Sequence, residues 1–181
     1  MSIELSLKPV AGTGWRRSYA TALAALDVAA AWTIVALVTV MVAVVSAQVF
    51  MRYALNSSIG WADEISRLMF VWSIFLAIPL GIKLGVHIGI EMFTGRLPAR
   101  VQDVLARGMA LVSAAMMALV CYEAAVIVWD QWDEQMASVT ASAAWFIVAL
   151  AVGGAHSALH LVWIVLTGKP KVDEEIAREL D

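Results

Sequence analysis

Long apolar stretches, broken by short polar ones, set the pattern of this chain. Val28 to Met51 runs 24 residues without a charge. At ~1.5 Å per residue that is about 36 Å of helix, enough to cross a ~30 Å hydrocarbon core. The pattern predicts spans over 28–51, 59–82, 104–129 and 141–166. The second is the weakest by length. Its uncharged centre, Leu68 to Ile82, has only 15 residues, against the usual ~20. Pro79 frees the carbonyl four residues back, so a bend is expected there, with a neighbour satisfying the freed group. Ala110, Ala114 and Ala118 form one ridge of small residues in the third span, and Gly154 and Ala158 another in the fourth. Ridges of this kind permit close helix contact. Trp145 and Trp163 are 18 residues apart, roughly 27 Å along a helix, one near each aromatic belt.

The polar stretches complete the organisation: a lead-in over 1–27, a membrane domain over 28–166 and a cytoplasmic tail over 167–181. In the lead-in, Trp15, Tyr19, Ala22, Leu23 and Leu26 share a face away from Arg16 and Arg17, which suits an interfacial turn on the membrane. A signal peptide is the rival reading. The apolar run that follows exceeds the usual ~7–15-residue signal core, which favours an uncleaved anchor. The turn after the first span holds Asn56, Ser57 and Ser58. Between spans two and three, Thr94 and Gly95 break the helix and Pro98 suits a new first turn. Leu97, Val101, Val104 and Leu105 then recur at helical spacing, opposite Arg100, Asp103 and Arg107. That predicts a short amphipathic helix in the interface plane. An acidic link with Asp130, Asp133 and Glu134 joins spans three and four.

Composition sharpens the class. The chain has 181 residues and is 62% hydrophobic, against ~45–50% for a soluble domain, so lipid is the natural solvent for its surface. The expectation is an all-α integral membrane protein of four transmembrane helices, with short interfacial helices. A net charge of −3 without a basic stripe offers nothing to nucleic acid. The single cysteine, Cys121, excludes an internal disulfide and reads as a small packing residue. Ten of the 12 Lys and Arg residues lie in the lead-in, the central crossing and the tail. By the positive-inside rule both termini and the crossing are then cytoplasmic.

Candidate chemistry is sparse. Asp63 to Arg67 is i,i+4 and Glu64 to Arg67 is i,i+3, so both acids can reach the base on one helix face. Three readings compete: acids capping a helix N-terminus, an ion or proton site, and docking to another membrane protein, which is preferred. His156 and His160 are also i,i+4, a spacing that can hold a metal. The bland alternative is hydrogen bonding across the bundle. The pair cannot ligate one haem from opposite sides, and His87 approaches His160 at best. No nucleophile motif or phosphate loop appears, so no catalytic residue, cofactor or metal is expected. The chain reads as an accessory or scaffold subunit, with a four-helix membrane cytochrome or electron-transfer subunit as the alternative. A small autonomous exporter would need a mid-span acid, and the uncharged centres of the spans offer none.

Residues 48–91 carry a resemblance. Arg52-Tyr53, the W-A-D-E-x-x-R series at 61–67, V-W-x-x-F-L-A at 71–77 and G-x-K-x-G-x-H-I-x-I-E at 81–91 resemble the DctQ-like small membrane subunit of tripartite ATP-independent periplasmic (TRAP) transporters. That family often has a Glu–Glu pair where this chain has Asp63–Glu64, and a Gly where it has Ala77. The resemblance implies a non-enzymatic small permease subunit of the bacterial inner membrane. It implies a secondary transporter for sodium-coupled solute uptake. A large membrane subunit then carries the substrate and sodium sites, a periplasmic solute-binding protein delivers solute, and membrane lipid surrounds the complex. The positions carried over as interface with the large subunit are Arg52, Tyr53, Trp61, Asp63, Glu64, Arg67, Trp72 and His87.

Overall fold

The computed structural model describes residues 14–83 and 98–167. Four helices account for nearly all of them: α1 (Gly14–Ala54), α2 (Ala62–Lys83), α3 (Ala99–Asp130) and α4 (Trp145–Thr167). Each is long and apolar enough to cross a membrane. α1 has 41 residues, about 60 Å of helix, twice the hydrocarbon thickness. Nothing between Gly14 and Ala54 breaks it: there is no proline, and the segment 22–31 is mostly alanine, the best helix former. The amphipathic lead-in from Trp15 onward is therefore the opening of α1. The amphipathic stretch after Pro98 likewise opens α3, where the Pro98 carbonyl accepts the Val101 and Gln102 N–H groups at 2.9 and 3.2 Å.

The apolar runs locate the helices, and local chemistry ends them. Asn56 takes a left-handed conformation (φ 49°), which an asparagine tolerates better than most residues. This turns the chain out of α1, and the Met51 carbonyl accepts both the Leu55 and Ser57 N–H groups at 3.2 and 3.1 Å. Between α3 and α4 the chain makes a tight loop with an isolated antiparallel bridge, Gln135 to Ser142. The Met136 and Ala143 N–H groups are satisfied within that loop, by Ala141 and Glu134 carbonyls. Residues 141–144 belong to this loop, so α4 starts at Trp145 and not at Ala141.

The helices form a row rather than a closed bundle. α1 packs on α2, α2 on α4, and α4 on α3, while α1 barely touches α4. α4 and α2 carry most of the burial, and α1 and α3 lie nearly bare at the two edges. Two adjacent glycines on α4 set its two seams. A Cβ on Gly153 would sit 2.4 Å from the Phe75 carbonyl oxygen of α2, and one on Gly154 2.9 Å from Cys121 Sγ of α3. The small cysteine expected at a packing position is thus the residue that faces Gly154, its Sγ 3.6 Å from the Ala151 carbonyl. Nearer the end where α2 stops, Ile82, Ala110 and Leu161 form a buried cluster with Ala114 and Met117 against it.

The predicted alanine ridge holds only in part. Ala110 and Ala114 face α4, but Ala118 is exposed. A four-residue step advances about 40° beyond one turn, so a strict i+4 row walks off the contact face. The face in use continues through Met117, Cys121 and Ala124 instead.

Candidate functional site

Two polar clusters sit at opposite ends of the row. The larger gathers Asp27 of α1, Lys83 of α2, and His156 and His160 of α4. Asp27 Oδ1 accepts from His156 Nε2 at 3.0 Å and His160 Nε2 at 2.8 Å. Its other oxygen, Oδ2, pairs with Lys83 Nζ at 2.9 Å. The Asp27 side chain is 1% exposed and the Lys83 side chain 43%. Burying an isolated carboxylate is prohibitive, on the order of tens of kcal/mol before relaxation. This one is admissible because a cation and two imidazole N–H donors surround it. Lys83, at the end of α2, keeps its stem along the apolar surface and its head near water. Further along, Tyr19 stacks on Trp163 (centroids 5.4 Å, planes 9° apart) and donates to the Leu159 carbonyl at 2.8 Å. α1 is thereby fastened to α4, with which it shares little apolar contact.

Sequence reasoning had the two histidines but missed Asp27 and Lys83. The signal was present. Asp27 borders the uncharged run 28–51 and Lys83 borders the uncharged centre 68–82. Opposite charges just outside two neighbouring spans are placed to meet. Of the readings given to the histidines, the hydrogen-bonded one describes the geometry. Both Nε2 atoms turn to one oxygen on the same side, so the pair does not flank a haem, and nothing supports the electron-transfer alternative.

The second cluster lies at the hairpin end. Asp63 Oδ1 accepts from Gln48 Nε2 at 2.9 Å, tying α2 to α1. Glu64 reaches the α3–α4 loop, where its carboxylate accepts the Ala137 N–H at 2.9 Å, the Ser138 N–H at 2.7 Å and the Ser138 hydroxyl. Among the described residues Arg67 pairs with neither acid, contrary to the local i,i+3 and i,i+4 pairing expected of them. At Glu64 tertiary donors win because backbone N–H groups are held in place, whereas an exposed arginine pair is worth little. Arg52, Tyr53, Trp61 and Arg67 are all exposed. Trp72 is half-buried and donates to the Trp145 carbonyl at 3.1 Å, and the Trp132 ring also packs against Trp145. His87 lies outside the described residues.

Neither cluster is arranged for bond-making. Among the described residues, a groove along one flank of α3 and another in the α3–α4 loop are both open at the surface. The molecule defined by this fold is a four-span membrane protein whose buried charge cluster joins helices. It belongs to a transporter family: the chain is a member of the DctQ component family of tripartite ATP-independent periplasmic transporters, whose family model matches residues 41–168. It is thus a TRAP small permease subunit, not an enzyme, and a multi-pass protein of the bacterial inner membrane.

Named relatives agree. A C4-dicarboxylate TRAP transporter small permease protein of Vibrio cholerae is 37% identical over 60 residues, covering 33% of this chain and 26% of the relative. A putative TRAP transporter small permease protein of Haemophilus influenzae is 29% identical over 98 residues, 54% of this chain and 56% of the relative. The sialic acid TRAP transporter small permease protein SiaQ of Vibrio cholerae is 27% identical over 125 residues, 66% of this chain and 69% of the relative. The chain thus spans about a quarter and about half of the length of the first two.

Proposed function

We propose that this subunit is the scaffold on which a large TRAP membrane subunit is held, in a complex that takes up solute with sodium and receives it from a periplasmic binding protein. The observation that supports this best is the single row of helices. A transporter needs two elements that move about an enclosed midplane site. Among the described residues the one-layer row surrounds no midplane site, and its buried charge cluster is spent on joining its own helices. It suits a platform, with substrate and ion sites left to the partner. Two relatives named for C4-dicarboxylate and sialic acid favour an acidic organic solute. In this arrangement both termini and the crossing between α2 and α3 face the cytoplasm, as the distribution of Lys and Arg favours.

The hairpin end is the proposed meeting surface. Arg52, Tyr53, Trp61 and Arg67 project from it uncovered, and aromatic and arginine side chains are the usual anchors of interfaces. His87 joins this set by resemblance alone. Asp63, Glu64 and Trp72 act one step back, by fixing α1, the α3–α4 loop and α4 around it. Arg67→Glu tests the assignment, because reversal places a like charge beside Asp63 and leaves the internal bonds of Glu64 intact. Co-purification of the large subunit is expected to fall at least about tenfold, the effect of ~1.4 kcal/mol at an interface. Normal assembly together with normal uptake overturns the reading.

A further inference from the structure

Asp27, His156 and His160 are all buried, and one donor atom from each lies within 4.8 Å of the other two. The two histidines stand four residues apart on α4, and their rings are 5.1 Å between centroids. That spacing lets one helix face present two imidazole nitrogens to a single point, as in zinc-binding helices. The third donor comes from another helix. Oδ1 alone faces the histidines, while Lys83 holds Oδ2 at 2.9 Å. A carboxylate with one oxygen free for a metal and the other fixed by an outer partner is the usual build of a ligating acid.

We propose that this cluster is a binding site for a zinc-class divalent cation, with Asp27 Oδ1, His156 Nε2 and His160 Nε2 as ligands and a fourth position open to water. Donors ~2.0–2.1 Å from a tetrahedral zinc ion are about 3.3 Å apart. The present separations from Oδ1 are 3.0 and 2.8 Å, so those two pairs open by a few tenths of an ångström, while the two Nε2 atoms, within 4.8 Å of each other, draw together around the ion. Each imidazole then carries its proton on Nδ1, and its Nε2 lone pair turns to the ion. Two imidazoles and one carboxylate suit zinc and cobalt better than magnesium or calcium, which take oxygen sets. The charge of Lys83 opposes the ion, but that side chain is 43% exposed and is screened by solvent. The site links α1 to α4, where apolar contact is weakest, and it is independent of the transporter reading.

The test is Co²⁺ titration of the full-length, metal-stripped protein in detergent. The wild type is expected to bind one Co²⁺ per chain with the visible absorption of a four-coordinate ion, and to lose it on Zn²⁺ addition. His156→Gln and His160→Gln keep a donor for Asp27 and so keep the helix link, but remove a ligand. Each is expected to weaken binding by at least ~100-fold. No one-to-one binding by the wild type overturns the proposal, and so does binding by both variants as tight as that of the wild type. Should either variant fail to give monodisperse protein, X-ray absorption at the zinc edge of the loaded wild type decides. Two imidazole nitrogens support the site, and an all-oxygen shell overturns it.

Discussion

Phe75 has a carbonyl with no helical donor, because Pro79 sits where its N–H partner belongs. That oxygen is the atom a Cβ on Gly153 would strike at 2.4 Å. The proline and the glycine form one device: the first frees a polar atom, and the second lets a neighbouring helix cover it. The two adjacent glycines therefore differ in what they tolerate. Gly153→Ala meets backbone, which cannot rotate away, and overpacking of this kind costs about 1–3 kcal/mol or more. Gly154→Ala meets only Cys121 Sγ, a side chain that can be removed. In thermal unfolding in detergent, Gly153→Ala is expected to lower the midpoint well below wild type. Gly154→Ala lowers it less, and Gly154→Ala with Cys121→Ala returns it to wild type or above, since alanine gains ~1 kcal/mol of helix propensity. Equal loss from both single substitutions sinks the distinction. The freed carbonyl and the packing role of Cys121 were legible from residue type. Gly153 as the covering residue was not, because its partner lies on another helix and spacing carries no trace of it.

At the scale of elements, the α3–α4 loop is held from outside. Ala137 and Ser138 give their N–H groups to Glu64 of α2, so the loop is ordered by a carboxylate more than 70 residues earlier in the chain. Bonds of this type are charge-assisted, and so stronger than those between neutral groups. Replacing Glu64 by Gln is expected to speed exchange of the Ala137 and Ser138 amides by roughly 10–100-fold, with α4 amides unchanged. Unchanged loop exchange removes this role for Glu64. The helices were largely readable, because lipid demands an uninterrupted apolar run wherever a helix is bare. Their ends were less so. The amphipathic openings of α1 and α3 look like separate surface helices by pattern, yet without a breaker the backbone continues into the span. The bonding of Asp63 and Glu64 was hidden for a related reason: local spacing pointed to Arg67, and the winning donors were remote.

For the whole molecule, charge distribution and helix order make separate statements. Alkaline phosphatase fused after residue 135 is expected to be active, and fused after residue 100 inactive, if both termini are cytoplasmic. The reverse pattern overturns that orientation. The row itself was beyond the sequence. Four apolar helices with small residues on two of them fit a closed bundle as well as an open layer, and only the paired glycines of α4, each facing a different neighbour, select the layer. Asp27 escaped notice at this scale too, since its meaning depends on α2 and α4 both bringing a partner to it.

The spatial order α1–α2–α4–α3 also bears on how the protein is made. α3 leaves the ribosome before α4, yet its place in the row is on the far side of α4. Until α4 is threaded into the bilayer, α3 has almost nothing of its own chain to rest on, and the α1–α2 hairpin stands alone beside it. The fourth span is the one that joins the two halves. A nascent chain that stops short of Trp145 is therefore not a smaller version of this subunit, but a hairpin and a lone helix tethered by chain with almost no packing between them.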